Sequence, residues 1–186
     1  MRVIWNQEPC GERVLALGTF DGVHRGHQAL LEAGRQYARV HGILLRVCSF
    51  DRHPMEVLQP DRAPKALGTL QEKAEWMERY GADELQLLHF TREMADMAPE
   101  AFLRMLRETV TLRAVAAGWN YTFGKGGKGD AEMLRLDGER NGYDVLIVPP
   151  VRTEAGEIIS STLIRKTLQE GKREEAEALL GHPLRI

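Results

Sequence analysis

The chain has 186 residues, 43% hydrophobic and 28% charged, with a formal net charge of −2, enough for one ordinary core-forming domain over residues 1–186. The near-neutral balance, with no basic stripe interleaved with aromatics, argues against nucleic acid as a partner, and no run approaches the roughly 18 apolar residues of a membrane span. The two cysteines, Cys10 and Cys48, lack metal-ligand spacing, and the first ten residues hold no apolar leader, so a reduced, cytoplasmic protein is expected.

Residues 1–12 read as an irregular or strand-like lead-in. The apolar run within 13–19 predicts a first strand. Gly18 and Gly22 then bracket Thr19, Phe20 and Asp21, where the backbone must turn sharply. Residues 25–40 predict an amphipathic helix with Ala29, Leu30, Ala33, Tyr37 and Val40 inward, ended by Gly42. His24 and His27 fall three apart at its start, so both imidazoles can share one face. Gly26 between them leaves the backbone bare for a ligand. Residues 43–50 are nearly continuous in apolar side chains, as in a strand covered on both sheet faces.

Residues 51–68 hold three prolines and little periodicity, which predicts a long loop of the kind that carries function, here a substrate loop. Thr69 with Glu72 forms a capping-box signature for a helix through Tyr80, closed by Gly81. A third strand is expected at 84–90, a helix at 98–110 with Phe102, Leu103, Met105 and Leu106 inward, and a fourth strand at 114–118. The glycine-rich run 123–130 suits neither a helix nor a strand interior and precedes a helix at 131–141. A fifth strand at 144–148 stops at Pro149 and Pro150. Helices follow at 160–169, with Ser160 or Ser161 near the cap, and at 173–180, leading into a terminal segment 172–186 of helix and linker. This alternation predicts an α/β fold: a parallel five-stranded sheet with helices on both faces. Its ligand site belongs beyond the carboxyl ends of the strands, lined by the turn after the first strand and the loops after the second and fourth.

The turn matches neither the G-x-G-x-x-G fingerprint nor a P-loop. What it offers is a helix N-terminus with two imidazoles, a combination suited to phosphate. On the residues alone, Ser160 to Thr162 read equally as a helix cap, Arg165 as a partner of Glu170 or solvent, His53 as a loop-ordering residue and Asp21 as a turn residue. Lys125 and Lys128 read as phosphate screens or as a mobile solvated loop, while Trp76, Phe102 and the helical methionines read as core.

Taken together, the motifs resemble a known family. Gly18-Thr19-Phe20-Asp21-Gly22-Val23-His24-Arg25-Gly26-His27 is similar to the G-x-F-D-G-x-H-x-G-H signature of bacterial FAD synthetases, in the H-x-G-H nucleotidyltransferase superfamily. Ser49 to Pro54 resembles a family segment ending in His-Pro. Gly118 to Gly124 with Gly129-Asp130 resembles G-x-[DN]-[FY]-x-F-G…G-D, and Ile159 to Arg165 resembles I-S-S-T-x-I-R. Leu179 to Pro183 is similar to the L-L-G-x-P linker of bifunctional members. Arg52, Ala116-Ala117 and Tyr121 depart from the usual family residues, and none of these removes a phosphate-handling group.

The resemblance implies a Rossmann-like nucleotidyltransferase that joins FMN and ATP into FAD and diphosphate. Magnesium would arrive with ATP and be held mainly through its phosphates. It implies His24, His27 and Arg165 as catalytic residues, and Gly18, Thr19, Phe20, Gly22, Gly26, Ser160, Ser161 and Thr162 as further ATP contacts. It implies Asp21, Phe50, His53, Pro54, Asn120 and Phe123 as FMN contacts. With no kinase segment after Pro183, no riboflavin kinase activity is expected, and a separate riboflavin kinase would supply FMN. The alternatives are a nucleotidyltransferase for another phosphorylated acceptor, or a flavin- or nucleotide-binding module without turnover.

Overall fold

The computed structural model describes residues 1–5 and 10–185. Strands β1 (Arg2–Trp5) and β2 (Cys10–Leu17) are followed by helix α1 (Arg25–His41) and strand β3 (Leu44–Phe50). Helices α2 (Pro54–Leu58) and α3 (Leu70–Arg79) lead to β4 (Glu84–Leu88), then α4 (Arg92–Ala95), α5 (Pro99–Thr109) and β5 (Val110–Gly118). Helix α6 (Ala131–Asn141), strand β6 (Asp144–Val148), and helices α7 (Ser161–Gln169) and α8 (Arg173–Leu180) complete the order.

The sheet has six strands in the order β1-β4-β3-β2-β5-β6, and every pairing is parallel. The α/β reading holds, and the strand count is corrected from five to six. The additional strand is β1, at the edge, where Val3 and Trp5 remain 44% and 57% exposed. Part of the predicted lead-in, residues 6–9, lies outside the described residues.

Alternation along the strands sorts the core into two layers. On one face, Val14, Ala16, Leu45, Val47, Leu85 and Leu87 pack against Leu30, Leu31 and Ala38 of α1 and Trp76 and Met77 of α3. On the other, Leu15, Leu17, Cys48, Val115 and Ala117 pack against Phe102, Leu103 and Leu106 of α5 and Leu134 of α6. The stripe of α1 is centred on Leu30, Leu31, Gly34 and Ala38, so Val40, expected inward, is 81% exposed. Gly42 caps α1 in the left-handed region at φ 65°. Both halves of the Thr69–Glu72 capping box form at the start of α3.

Residues 51–68 are more regular than the predicted loop. They contain α2 and a short 3-10 turn, Pro60–Arg62. Helices α7 and α8 pack through Ile164, Ala176, Leu179 and Leu180 over Leu67 and Ile159. Among the described residues, no helix is long and apolar enough to cross a membrane.

Strand β2 sits where the order reverses, with β3 and β4 to one side and β5 and β6 to the other. The loop that follows it therefore emerges at the switch point, where ligands of such sheets bind.

Candidate active site

The turn after β2 departs from ordinary backbone. Phe20 (φ 53°), Gly22 (φ 76°) and Val23 (φ 41°) all lie in the left-handed region. For a bulky or β-branched residue this costs about 1–3 kcal/mol, sustained only where packing over-determines it. Here Phe20 and Val23 are fully buried. The Phe20 ring lies 5.1 Å from that of His27, and a Cβ on Gly18 would meet it at 3.0 Å. Phe20 thus supports the site from beneath and is not on the cavity wall. Gly22 is also off the wall, since a Cβ there would point at the Leu67 and Leu180 side chains, 2.9 and 3.1 Å away.

His24 is the N-cap of α1, and its Nδ1 accepts the Gly26 N–H at 3.2 Å. A Cβ on Gly26 would lie 3.1 Å from this imidazole. Gly26 lines the cavity, and its missing side chain also makes room for the His24 ring folded back over it. The rings of His24 and His27 stack, with centroids 3.7 Å apart and planes 20° off parallel. Burial lowers the His24 pKa to about 4. Burial, then the charges of His24 and Lys73, holds His27 well below the ordinary histidine range. Both rings are uncharged at neutral pH. His27 Nδ1 is buried and has no hydrogen-bond partner among the described residues.

Helix α7 brings the second group. Ser160 Oγ accepts the Leu163 N–H at 3.2 Å, which caps the helix, and the Ser161 hydroxyl donates to the Asp21 carbonyl at 2.9 Å. The Arg165 guanidinium forms an ion pair with the Asp21 carboxylate, and its Nε donates to the Lys65 carbonyl at 2.7 Å. Asp21 also accepts the Leu67 N–H at 3.0 Å. Glu170, an expected alternative partner of Arg165, pairs with Lys172 instead. Asp21 and Arg165, assigned from sequence to different substrates, are thus joined.

These groups line a cavity of about 830 Å³ at the carboxyl ends of the strands. Gly18, Thr19, Asp21, His24, Gly26, His27, Ser160, Ser161, Thr162 and Arg165 form its polar wall. An aromatic wall comes from the other face of the sheet. Phe50 and Phe90 meet edge to face at 5.0 Å, and Phe123 lies 5.7 Å from Phe102 and 5.8 Å from Tyr121. His53 and Pro54 line it from the start of α2, where His53 Nδ1 accepts the Met55 N–H at 3.1 Å. Burial lowers the His53 pKa. Asn120 is exposed and lines the cavity beside Trp119, itself 46% exposed.

The glycine-rich run is a fastened turn. Phe123 and Gly129 exchange backbone hydrogen bonds of 3.1 and 2.9 Å, and a Cβ on Gly124 would lie 2.7 Å from Pro99. Lys125 lines the cavity and pairs with Asp96 at 2.9 Å, while Lys128 does not line it. Among the described residues, no three His, Cys, Asp or Glu side chains gather as a metal site.

Sequence reasoning missed two groups. The Asp51 carboxylate holds His89 Nδ1 at 2.6 Å and accepts the Phe90 N–H at 3.2 Å, tying together the loops after β3 and β4. Lys73 donates to the Thr19 carbonyl directly beneath the turn at 2.9 Å. The signal for Lys73 was legible: with Leu70, Ala74 and Met77 it falls at i, i+3, i+4 and i+7, a lysine on the inward stripe of α3.

The chain is similar to proteins already described. A family model described as FAD synthetase matches residues 6–163. A bifunctional riboflavin kinase/FMN adenylyltransferase of Listeria monocytogenes is 38% identical over 92% of this chain and 54% of its own length. The protein of the same description from Escherichia coli is 35% identical over 97% and 56%. A Listeria monocytogenes FAD synthetase is 36% identical over 91% of this chain and 69% of its own. The chain thus spans about half the length of the bifunctional relatives it matches. A crystal structure described as a macrolide-efflux protein from Streptococcus pneumoniae superposes with a TM-score of 0.86 at 31% identity, over 99% of this chain and 61% of that one.

Proposed function

The chain belongs to the FAD synthetase family, and from that premise we propose that it is an FMN adenylyltransferase. A terminal phosphate oxygen of FMN attacks the α-phosphorus of ATP in line. The α–β phosphoanhydride bond breaks, diphosphate leaves with its electron pair, and FAD forms. FMN brings its own nucleophile, so the protein's task is to align two anions and stabilise charge as it spreads over the phosphates.

The observation that carries this reading is the meeting of two helix N-termini, α1 and α7, on one cavity that also holds an aromatic wall. The polar wall suits the triphosphate. With Nδ1 accepting from Gly26, the neutral His24 ring has its hydrogen on Nε2, free to donate to a phosphate oxygen. His27 supplies the second donor, and Arg165, ion-paired with Asp21, supplies the cation. The aromatic wall suits a flat aromatic ring system such as isoalloxazine. Magnesium fits this site as a companion of ATP, held largely by phosphate oxygens and water. The free thiols of Cys10 and Cys48 agree with work in the cytoplasm.

The same polar wall would serve a nucleotidyltransferase with another phosphorylated acceptor; the aromatic wall favours FMN. Comparing diphosphate release from MgATP with FMN and with aliphatic phosphate esters of similar charge tests the choice. Release with FMN at least on the order of a hundredfold above the others is expected. Equal release with an aliphatic acceptor overturns it.

A further inference from the structure

The adjacent strands β2 and β3 end at Leu17 and Phe50, and the backbone carbonyls just beyond need donors. Lys73 of α3 supplies them. Its Nζ donates to the Thr19 carbonyl at 2.9 Å, Ser49 Oγ at 2.9 Å and the Phe50 carbonyl at 3.2 Å. The Ser49 hydroxyl donates to the same Thr19 carbonyl at 3.0 Å. An ammonium carries three hydrogens, and three acceptors meet them here. Strand-end capping alone would account for this in most proteins. In this one, Thr19 opens the left-handed turn that carries His24 and His27, and Phe50 begins the aromatic wall.

We propose that Lys73 is a positioning residue, whose three hydrogen bonds lock the ends of β2 and β3 so that the His24–His27 pair and the acceptor wall keep a fixed separation. This deepens the adenylyltransferase reading and rests on it. Lys73 acts through Thr19, Ser49 and Phe50 and does not touch the reacting atoms. Its proton count matters, because a neutral amine has two hydrogens for three acceptors. Burial pulls the Lys73 pKa down to about 8, against the pull of Asp21 and Asp51. The other titratable or charged groups around it are His27 and His53, which its charge disfavours in their protonated forms, Arg52, which lines the same small hollow, Glu72, which is bonded to Thr69, and His182 and Arg185, which line a second hollow with it.

The test compares the wild type with Lys73→Met and Lys73→Gln, following FAD formation against pH and the ring resonances of His27 by NMR. In Lys73→Met, kcat is expected to fall on the order of tenfold or more with a smaller change in the KM for ATP, and Lys73→Gln, which keeps a donor, to recover part of it. Wild-type kcat should decline above about pH 8, and the His27 resonances should shift over the same range; neither change should occur in Lys73→Met. A folded Lys73→Met variant with wild-type kcat overturns the proposal, as does a decline near pH 8 that persists in that variant. If neither variant folds, the wild-type titration decides, and a His27 ring that senses nothing between about pH 7 and 9 overturns it. Failure of the wild type to make FAD counts against the adenylyltransferase reading, while the His27 titration still tests Lys73.

Discussion

His24 and His27 stack with ring centroids 3.7 Å apart, and burial keeps charge off both. Two adjacent imidazolium rings would repel each other, and a charged His27 would also face the ammonium of Lys73. In the proposed reaction the pair would serve as neutral donors held in one orientation, with Arg165 as the cation facing the phosphates.

Acid should therefore destabilise the fold in a window set by histidine. The His24 pKa is about 4 in the folded protein against an ordinary 6.5. Between those values the unfolded chain takes up a proton that the folded chain refuses, so stability falls as pH drops through the window. For His24 alone the loss amounts to about 3 kcal/mol once the lower value is passed. Thermal melts should show the midpoint falling from about pH 6.5 downward, well before most carboxylates titrate. A midpoint that is flat from about pH 7 to 5 would contradict the burial of this pair.

Gly26→Ala separates activity from stability. The new Cβ, 3.1 Å from the His24 ring, forces that ring to move. Alanine also gains up to about 1 kcal/mol in helix propensity over glycine, which offsets the crowding. The expected variant melts close to the wild type but turns over roughly tenfold more slowly, because a ring displaced by a few tenths of an ångström no longer meets the phosphate. Calorimetry beside steady-state kinetics checks both halves.

Arg165→Met removes the partner of Asp21. The side chains are 17% and 14% exposed, so the stranded carboxylate is only partly solvated. A stability loss of about 2 kcal/mol is expected. Asp21→Asn costs less on its own, and in the double variant the losses should fall short of their sum by about 1 kcal/mol. Urea denaturation of the four proteins measures this. The KM for ATP should rise in both Arg165 variants, and less in Asp21→Asn.

Much of this site was readable in the residues, and the gaps have physical causes. The His24–His27 spacing, the Thr69–Glu72 box and the Ser160 cap are local, so neighbouring residues suffice to specify them. Strand β1 reads from sequence only as an irregular or strand-like lead-in because its four residues pair with β4, some eighty positions away, and leave Val3 and Trp5 exposed. Helix α2 escaped because its capping box uses His53 with Glu56 in place of serine or threonine. The Asp21–Arg165 pair joins residues 144 positions apart, so only the folded sheet brings them together. Arg46 sits fully buried within a strand of apolar character because Glu84, on the adjacent strand, accepts its Nε–H at 2.7 Å. Its burial, too, depends on a partner that no local pattern reveals.

Direct attack of FMN's phosphate on ATP at this cavity fixes the stoichiometry of the reaction. Incubation with FMN and MgATP, followed by chromatographic separation of the flavins and assay of diphosphate, tests it most directly. One FAD and one diphosphate should appear for each FMN consumed, with the rate falling sharply in His27→Ala. FMN recovered unchanged from a protein that binds both substrates would rule out adenylyl transfer by this chain, and FAD made at full rate by His27→Ala would rule out the role given to His27.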